Sequence, residues 1–598
     1  MADALLLDIE VYKNYFLVGF RNSVTGNTRQ FEMFEGHPLD TSTVGAILQR
    51  HPVISFNGIN FDIPILVLAL KPNTTTQMLK NACDAIIQTK LRSWQFAEQF
   101  NIQIPKIDHI DLFEVSPGNV SLKIYAGRMH CETMQDLPIE PEAIITAEQH
   151  ALLRAYNLND LVVTQKLYEA LIPQLTLRQK MSQEFKIDLR SKSDAQIAEA
   201  VLTQAVQKMN GSVSQPHIDS GTQFKFKAPN FINFKSQQLQ DILAFVQSVV
   251  FTVPDSGNIQ MPPELAKQTI SIGNSTYQMG IGGLHSTEQS VHYIANQDFI
   301  LVDRDVTSYY PTIILNQGLA PAHLGEAFTN TYRQILDRRI KAKQSGDKVT
   351  GDVLKIVVNG SFGKFGSRYS KLYAPDLMIR TTLTGQLSLL MLIERLEREG
   401  ISVVSANTDG VLIRCSKPLI DIMESVIWLW EHETNFQTEE THYRAVYFRD
   451  VNSYLAIRTD SSAKRKGVFS TASLSSNPEN DVCVDAVTAY LRDGKPIEET
   501  ILECTDIRRF VSVRRVNNKA VWRGKFLGKA VRWYYAKGID GFIEDKVNGY
   551  KVARTEGAKP LMELPDHFPT DIDFDWYIRE AHSLLAGVGI ATQELADA

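Results

Sequence analysis

The chain has 598 residues, of which 44% are apolar and 22% charged, a composition typical of a folded protein with several domains. Its 62 basic and 68 acidic residues give a net charge of −6, which argues against a protein that binds nucleic acid through bulk positive charge alone. Five scattered cysteines without CxxC spacing argue against a zinc ribbon or an iron–sulfur site.

The apolar patterns predict an α/β protein with more than one domain. Alternating apolar runs predict strands in the first 70 or so residues, and a helical pattern follows over residues 150–171. Residues 172–298 are less regular, apart from a helix start at Ser193 or Asp194 and a glycine loop, GIGG, after a predicted strand. A second strand-rich unit is predicted to begin at residue 299. Predicted helices follow until about residue 366, and further strands are predicted from residue 402.

No feature of the sequence predicts a membrane protein. The start, MADALLLDIE, lacks the basic segment of a signal peptide, and no run of eighteen apolar residues occurs. An odd, sparse set of cysteines fits a reducing compartment. We therefore expect a cytoplasmic protein without a membrane partner.

Positive charge is concentrated in two segments despite the acidic total. Residues 507–537 contain ten Lys or Arg and no acid, interleaved with aromatic residues, and residues 332–380 contain eleven basic residues against four acids. Such segments are often only solvated faces, but basic residues interleaved with aromatics favour a surface that follows a nucleic-acid backbone.

The first set of acids lies near the amino terminus. Asp8 and Glu10 follow an apolar run, and the two-residue period of a strand places both side chains on one face. An exposed edge strand is the commoner setting for an isolated Asp-Ile-Glu. Burial of both acids would instead require a counter-ion such as a divalent metal.

Two later fragments extend this set. Asp62 follows Phe61 at the end of a predicted apolar strand, and Tyr156 and Asp160 are four residues apart, on one face of a predicted helix. Four carboxylates and a phenol are what two-metal phosphodiester hydrolysis needs. In this order they resemble the exonuclease motifs of the DEDD group in its tyrosine variant, which implies an RNase H-like fold and 3′→5′ polarity. Lys123 is either an auxiliary phosphate contact or a surface lysine.

A second set of acids begins with Asp305, at the end of the apolar strand FILVDRDV. Asp409 lies at the tip of a predicted hairpin, between two apolar runs. Two such carboxylates can hold two magnesium ions between a 3′-hydroxyl and a nucleoside triphosphate.

Basic and glycine residues lie between these two acids. Arg339 and Lys343 are i, i+4 on a predicted helix, and so are Lys355 and Asn359 on the next, which Gly363 follows. They can meet phosphates and a flat base, although solvated lysines and simple turns are the alternative.

Together these segments resemble family B DNA polymerases. DVTSYYPT is similar to motif A, KIVVNGSFG to motif B and ANTDG to motif C, and all three follow the exonuclease motifs in family order. The loop GIGGLHS resembles the connector between the exonuclease and polymerase parts, and RDVNSYLAI with KRKGVF occupies the place of the primer-gripping segment. The carboxy-terminal stretch is similar to phage-encoded members, which implies replication of a phage genome in the host cytoplasm.

The resemblance implies a role for each matched residue. Asp305 and Asp409, with the carbonyl of Val306, would hold two Mg²⁺ ions, for which Mn²⁺ can substitute, and a second pair of ions would bind Asp8, Glu10, Asp62 and Asp160. Tyr310 would lie under the deoxyribose and reject a 2′-hydroxyl, and Tyr454 would lie near the primer terminus. The implied nucleotide contacts are Tyr310, Arg339, Lys343, Lys355, Asn359 and Gly363. The implied DNA contacts are Gly282, Gly283, Tyr454, Lys466, Arg514, Arg515, Lys525, Lys529 and Arg532.

Several positions depart from the family motifs. Asn407 replaces the first acid of motif C, Gly410 its serine, Gly360 the serine of motif B and Asn452 the lysine of the primer-gripping segment. Asn407 removes one negative charge beside the metals, so either that acid is dispensable here or metal affinity is lower.

The predicted domains follow the motifs. They are an exonuclease (1–175), a connecting region (176–298), palm (299–331), fingers (332–366), palm (367–470) and a thumb with the carboxy-terminal region (471–598). Asp8 is so near the start that no extra amino-terminal domain is expected. The intervals between motifs A, B and C lack room for the insertions of protein-primed members, so we expect an enzyme that extends a nucleic-acid primer. We also expect a monomer that works with a helicase, primase, single-strand-binding protein or processivity factor.

Two other functions compete with DNA-templated DNA synthesis. A stand-alone 3′→5′ exonuclease with a degenerate polymerase core is favoured by Asn407 alone. A non-catalytic protein that binds primer and template would account for the basic segments but not for either set of acids.

Overall fold

The protein is a multidomain α/β protein, described here from a computed structural model over residues 4–590. The last eight residues of the predicted segment 471–598 lie outside this range. No helix within residues 4–590 combines the length and apolar character needed to cross a membrane.

Strands occur throughout the chain, most densely between residues 270 and 306. The strands are β1 Leu5–Val11, β2 Phe16–Asn22, β3 Thr28–Met33, β4 Val53–Ser55, β5 His109–Asp111, β6 Gln223–Lys225, β7 Val250–Thr252, β8 Ile270–Ile272, β9 Ser275–Met279, β10 Leu284–Ser286, β11 Gln289–Ile294, β12 Phe299–Val306, β13 Ser402–Asn407, β14 Gly410–Ser416, β15 Thr438–Asp450, β16 Ser453–Arg458, β17 Ala463–Arg465, β18 Ser512–Trp522, β19 Lys525–Tyr535, β20 Glu544–Asp545 and β21 Ala558–Pro560.

Helices separate the groups of strands. The α-helices are α1 Thr41–Arg50, α2 Asp62–Ala69, α3 Thr76–Thr89, α4 Ser93–Gln99, α5 Leu122–Arg128, α6 His150–Ala170, α7 Ile172–Phe185, α8 Asp194–Asn210, α9 Gln237–Ser248, α10 Pro263–Ala266, α11 Tyr309–Asn316, α12 Gly325–Gln344, α13 Lys348–Phe365, α14 Pro375–Arg398, α15 Ile420–Thr434, α16 Asp481–Asp493, α17 Ile497–Glu503 and α18 Phe574–Ala586.

The chain forms two compact units, each built from several segments. The first takes in the described part of Met1–Ser193 together with Thr471–Cys483 and Glu498–Ile578. The second takes in Asp194–Ser470, Val484–Ile497 and the described part of Arg579–Ala598. The six predicted domains do not coincide with this division, since the predicted segments 176–298 and 471–598 each contain residues of both units. Their boundaries stay predictions.

The first unit contains a mixed five-stranded sheet in the order β3-β2-β1-β4-β5. β1 pairs antiparallel with β2 and parallel with β4. Because successive side chains of a strand point to opposite faces, Leu7 and Ile9 enter the core on one side, with residues of α2 and α3. Leu6 enters the core on the other side, with residues of α5 and α6. Asp8 and Glu10 share the face of Leu6 and therefore lie on the side of α6.

The basic segment 507–537 folds into a long antiparallel hairpin, β18 with β19, in a four-stranded sheet ordered β20-β18-β19-β21. Val513 of β18 and Ala530 of β19 belong to the same apolar core as α5 and α6. Gly127 of α5 allows this close packing, since a Cβ at this position would lie 2.5 Å from a methyl group of Val513. One face of the basic segment is thus occupied by packing within its own unit.

The second unit contains a ten-stranded sheet. Its main path is β17-β16-β15-β12-β14-β13-β10-β9-β8, and β11 pairs with the same long strand, β15. β12 lies in the middle, antiparallel to β14 and β15. Leu301 of β12 packs in an apolar cluster with residues of β13 to β16, and the side chains two and four positions further along share its face.

Helices α8 and α13 of the second unit approach each other closely at Gly360. A Cβ at Gly360 would lie 2.7 Å from the backbone oxygen of Asp194, so a serine does not fit here without a shift. Helix packing therefore accounts for the glycine at this position.

Most of the regular elements agree with the sequence predictions. Strands β1 to β4 near the amino terminus, the helix over residues 150–171, the helix that starts at Asp194 and the strand at residue 299 are confirmed. The prediction of strands is wrong for residues 41–50 and 62–69, which form α1 and α2. Asp62 therefore begins a helix and does not end a strand, and Pro64 lies in the first turn, where a helix tolerates it. The predicted hairpin around Asp409 is confirmed as β13 and β14, whose ends Asn407 and Gly410 pair. The strands of the carboxy-terminal hairpin were not predicted.

Candidate functional site

A buried acidic cluster forms in the first unit. One carboxylate oxygen each from Asp8, Glu10 and Asp160 lie within 4.8 Å of one another. Asp8 and Glu10 come from β1, and Asp160 from α6, which packs on that face of the sheet. Glu10 and Asp160 are each only 7% exposed. These three residues can hold a metal ion, because carboxylate oxygens at this spacing are ligands that divalent cations prefer.

The electrostatics of this acidic cluster favour a cation. Burial raises the pKa of Asp8 well above its usual range, and Asp160 and Asp62 raise it further. Burial likewise raises the pKa of Glu10, and Asp8 and Asp160 add to the effect. Several carboxylates held together out of water repel one another, and a bound divalent ion would relieve that repulsion.

Two side chains of the same unit compensate part of this negative charge. Lys123 forms an ion pair with Asp160 and lies 4.3 Å from the centre of the Tyr156 ring. Asn157 is fully buried and donates a 2.8 Å hydrogen bond from Nδ2 to the carboxylate of Asp8. Tyr156 therefore lies beside the acidic cluster, as predicted from its spacing to Asp160. Asn157 carried no signal in the sequence, since a buried amide looks like any polar helix residue.

Asp62 is buried as the first residue of α2, but its carboxylate does not belong to the group of three. Burial raises the pKa of Asp62 to about 7, with Asp111 as the next cause. The carboxylate of Asp111 accepts hydrogen bonds from the backbone amides of Asn57 (2.7 Å) and Ile59 (2.9 Å). Asp111, which the sequence did not single out, thereby holds the loop that leads to Asp62.

The second pair of acids, in the second unit, is brought together by strand pairing. Asp305 of β12 is paired with Gly410 of β14, directly after Asp409 in the hairpin turn. A Cβ at Gly410 would lie 2.0 Å from a carboxylate oxygen of Asp305, so any other residue here would require the Asp305 side chain to move. Burial raises the pKa of Asp409, and the charge of Asp305 raises it further.

These acids line a cleft of about 1150 Å³. On α12, Arg339 donates a hydrogen bond to Ser308, and Lys343 forms an ion pair with Glu439 of β15. Lys355 lies one helix further along, on α13. The cleft therefore combines acids on the sheet with cations on two helices. The predicted residues that line it are Asp305, Val306, Tyr310, Arg339, Lys343, Lys355, Asn359, Asp409, Tyr454 and Lys466.

Six charged residues that line the cleft were not predicted as site residues: Asp303, Asp347, Lys348, Asp352, Glu439 and Lys464. Asp303 lies two positions before Asp305 on the same face of β12, and burial followed by repulsion from Asp305 raises its pKa to about 6. Its carboxylate accepts a 3.2 Å hydrogen bond from Tyr443 and lies 3.5 Å from Nζ of Lys464. Glu439 forms the ion pair with Lys343 described above. The alternating charge of LVDRDV was the available signal for Asp303.

Asn407 also lines the cleft. Its Nδ2 donates a 3.3 Å hydrogen bond to the carbonyl of Val451, and its Oδ1 accepts one of 3.2 Å from the Thr408 hydroxyl. An amide can make both contacts, whereas a carboxylate could not donate to Val451. Asparagine thus suits the local hydrogen bonding at position 407.

The residues predicted to contact DNA fall into different environments. Arg515, Lys525, Lys529 and Lys466 are exposed, Arg514 is half-buried, and Gly282 is exposed beside the buried Gly283. Gly363 is exposed on α13 but does not line the cleft.

Arg532 needs a different interpretation, because it is fully buried. Its guanidinium donates to the backbone carbonyls of Leu561 (2.7 Å), Cys131 (2.8 Å) and Glu132 (3.1 Å). This side chain is structural and is not available to a DNA backbone.

Comparisons with known proteins do not identify a family. No family model matches the chain, and no curated protein matches it either.

Proposed function

We propose that the protein is a DNA-templated DNA polymerase with a 3′→5′ exonuclease activity, of the family B type. The observation that carries this proposal is the cleft of the second unit, where Asp305 and Asp409 lie on the sheet and Arg339, Lys343 and Lys355 lie on α12 and α13. Carboxylates that can bind metal and cations that can bind a triphosphate are the two requirements of nucleotidyl transfer.

In this proposal, Asp305, Asp409 and the carbonyl of Val306 would hold Mg²⁺ in the cleft. When bound, the ions would activate the primer 3′-hydroxyl and neutralise charge that develops on the phosphates. Arg339, Lys343 and Lys355 would bind and orient the triphosphate, which requires Lys343 to leave Glu439. Tyr310 would lie under the sugar, and Tyr454 and Lys466 would contact the primer.

The acidic cluster of the first unit would remove nucleotides. Asp8, Glu10 and Asp160 fit a site for divalent ions because their carboxylates lie close together out of water. Asp62, whose charge raises the pKa of Asp8, would contribute from outside this group. The hydroxyl of Tyr156 would orient the attacking water, and Lys123 would contact the scissile phosphate after release from Asp160. The mixed sheet with acids on its central strand supports an RNase H-like fold for this part. The central antiparallel sheet with α12 and α13 supports a palm with fingers.

Primer extension with single-site variants tests both activities. With Mg²⁺ and four dNTPs, we expect the parent protein to extend a DNA primer, and Asp409→Ala to abolish extension while 3′ degradation continues. Asp8→Ala combined with Glu10→Ala should have the opposite effect. When one dNTP is withheld, the parent should idle at the missing base, since addition and removal then alternate.

A stand-alone 3′→5′ exonuclease is the second candidate, and Asn407 is the observation that favours it, since it leaves the cleft one acid poorer than motif C. A parent protein that degrades primers but never extends them would establish this alternative. Extension that survives Asp409→Ala would refute the assignment of the cleft.

A further inference from the structure

Tyr310 is tied to a loop that lies 28 residues earlier in the chain. Its hydroxyl donates a 2.6 Å hydrogen bond to the backbone carbonyl of Gly282. The ring lies against Phe362 of α13, with 4.3 Å between the ring centres. The hydroxyl and the ring face are therefore both engaged, which restricts the positions that the ring can adopt.

The loop around Gly282 is itself braced. Gly280 and Gly283 exchange backbone hydrogen bonds of 3.0 and 3.3 Å, which close a tight turn. The buried side chain of Gln386, on α14, donates a 2.5 Å hydrogen bond from Nε2 to the carbonyl of Gly280. Gly282 thus presents its carbonyl from a short turn with fixed ends.

The same loop packs against the turn that carries Asp409. The amide of Thr408 donates a 2.8 Å hydrogen bond to the carbonyl of Leu284. At Gly283, where φ is +153°, a Cβ would lie 2.9 Å from the Cα of Thr408. No side chain fits between these backbones without displacing one of them. The loop therefore contacts both Tyr310 and the turn that carries Asp409.

We propose that the loop 280–283 is a positioning element that holds the Tyr310 ring at a set distance from Asp409, and that sugar discrimination depends on this hydrogen bond. The inference rests on the proposed polymerase function. A ring can exclude a 2′-hydroxyl only if it does not yield when a ribonucleotide enters. The carbonyl of Gly282 supplies the restraint, because it fixes the end of the ring that is farthest from the backbone.

Tyr310→Phe tests the restraint directly, because it removes the hydroxyl and keeps the ring. The readout is the ratio of kcat/KM for a dNTP to that for the matching rNTP at one template position. We expect this ratio to fall about fivefold or more, the effect of one net hydrogen bond on a specificity ratio. Gly283→Ala, which disturbs the loop and keeps the Tyr310 hydroxyl, should also lower this ratio. The double variant should have nearly the same ratio as Tyr310→Phe alone.

Tyr309→Phe is the matched control. The Tyr309 hydroxyl donates a 2.5 Å hydrogen bond to the carbonyl of Gly385, so this variant also loses one tyrosine–glycine hydrogen bond. The Tyr309 ring stacks on that of Tyr310, with 5.9 Å between the ring centres, and the variant keeps this ring. Only the hydrogen bond to Gly385 is lost, so its sugar ratio should equal that of the parent.

The outcomes separate this inference from the proposed function. A Tyr310→Phe protein that extends primers with the parent's sugar ratio overturns the inference and leaves the polymerase proposal intact. An equal fall in Tyr309→Phe also overturns it, since general loosening of α11 would then be the cause. A parent that never extends a primer overturns both. If Gly283→Ala does not fold, the comparison of the two phenylalanine variants decides the matter.

Discussion

The backbone amide of Val306 donates a 2.7 Å hydrogen bond to the carbonyl of Asp409. This bond joins the end of β12, which carries Asp305, to the hairpin turn between β13 and β14. Two acids that are about a hundred residues apart in the chain are thus held together by backbone pairing and not by their side chains. Because the backbone pairing holds them, the two carboxylates can remain adjacent although they repel each other. Substitution of either acid should leave this backbone pairing intact.

Magnesium should stabilise the protein through the acidic cluster of the first unit. A ligand that binds only the folded state raises the unfolding temperature, so we expect a rise on addition of Mg²⁺. Asp8→Asn with Glu10→Gln should be at least as stable as the parent in EDTA, because repulsion is removed, and should gain less from Mg²⁺. Thermal scans with and without Mg²⁺ measure both effects. Asp421→Asn, at an exposed position of α15, is the control and should gain as much from Mg²⁺ as the parent.

Stability in EDTA should depend on pH through Asp62. Its folded-state pKa of about 7 lies above the usual carboxyl value near 4, so the folded protein binds this proton more tightly than the unfolded chain does. The stability that this tighter proton binding contributes is fully present below pH 4. It is lost as pH rises from about 4 to 7 and does not change further above pH 7. Urea denaturation of the parent and of Asp62→Asn between pH 4 and 8 measures it. As pH rises across this window, the unfolding free energy of the parent should fall relative to that of Asp62→Asn. A difference that does not depend on pH would contradict the raised pKa of Asp62.

Glu439 should compete with the nucleotide for Lys343. Both members of this ion pair are largely exposed, at 67% for Lys343 and 59% for Glu439, so the pair is weak and readily broken. Glu439→Gln should lower the KM for dNTPs about two- to fivefold, the range that an exposed pair allows, with kcat close to the parent value. Steady-state kinetics of single-nucleotide addition measures this change. Glu433→Gln, which breaks the ion pair with Arg395 outside the cleft, should leave KM unchanged. An unchanged or higher KM in Glu439→Gln would exclude the competition.

Arg532 and Arg515 should differ in stability and in DNA binding, although both lie in the same basic hairpin. Arg532→Met removes a buried guanidinium and leaves backbone carbonyls without donors, which should cost about 3–5 kcal/mol of unfolding free energy. Arg515→Met, at an exposed position, should change stability by less than about 0.5 kcal/mol. If the hairpin binds DNA, only Arg515→Met should reduce the salt dependence of affinity. Chemical denaturation and titrations at several salt concentrations test the pair. Equal losses of stability would contradict the structural role of Arg532.

Residues whose chemistry is local were predictable from the sequence alone. Asp8 and Glu10 share a strand face, Tyr156 and Asp160 share a helix face, and Asp409 lies in a two-residue turn, because the periods of strands and helices determine these relations without any tertiary contact. The strand at residue 299 and the helix that begins at Asp194 were predictable for the same reason.

Only the tertiary structure decided which charges are available to a ligand. Arg532 and Arg515 look alike in the sequence, yet one is enclosed by backbone carbonyls and the other faces solvent. Asp303, Asp111 and Glu439 acquired their roles from partners far away in the chain. Burial, desolvation and hydrogen bonding depend on what the rest of the fold places around a side chain, and a local pattern does not contain that information.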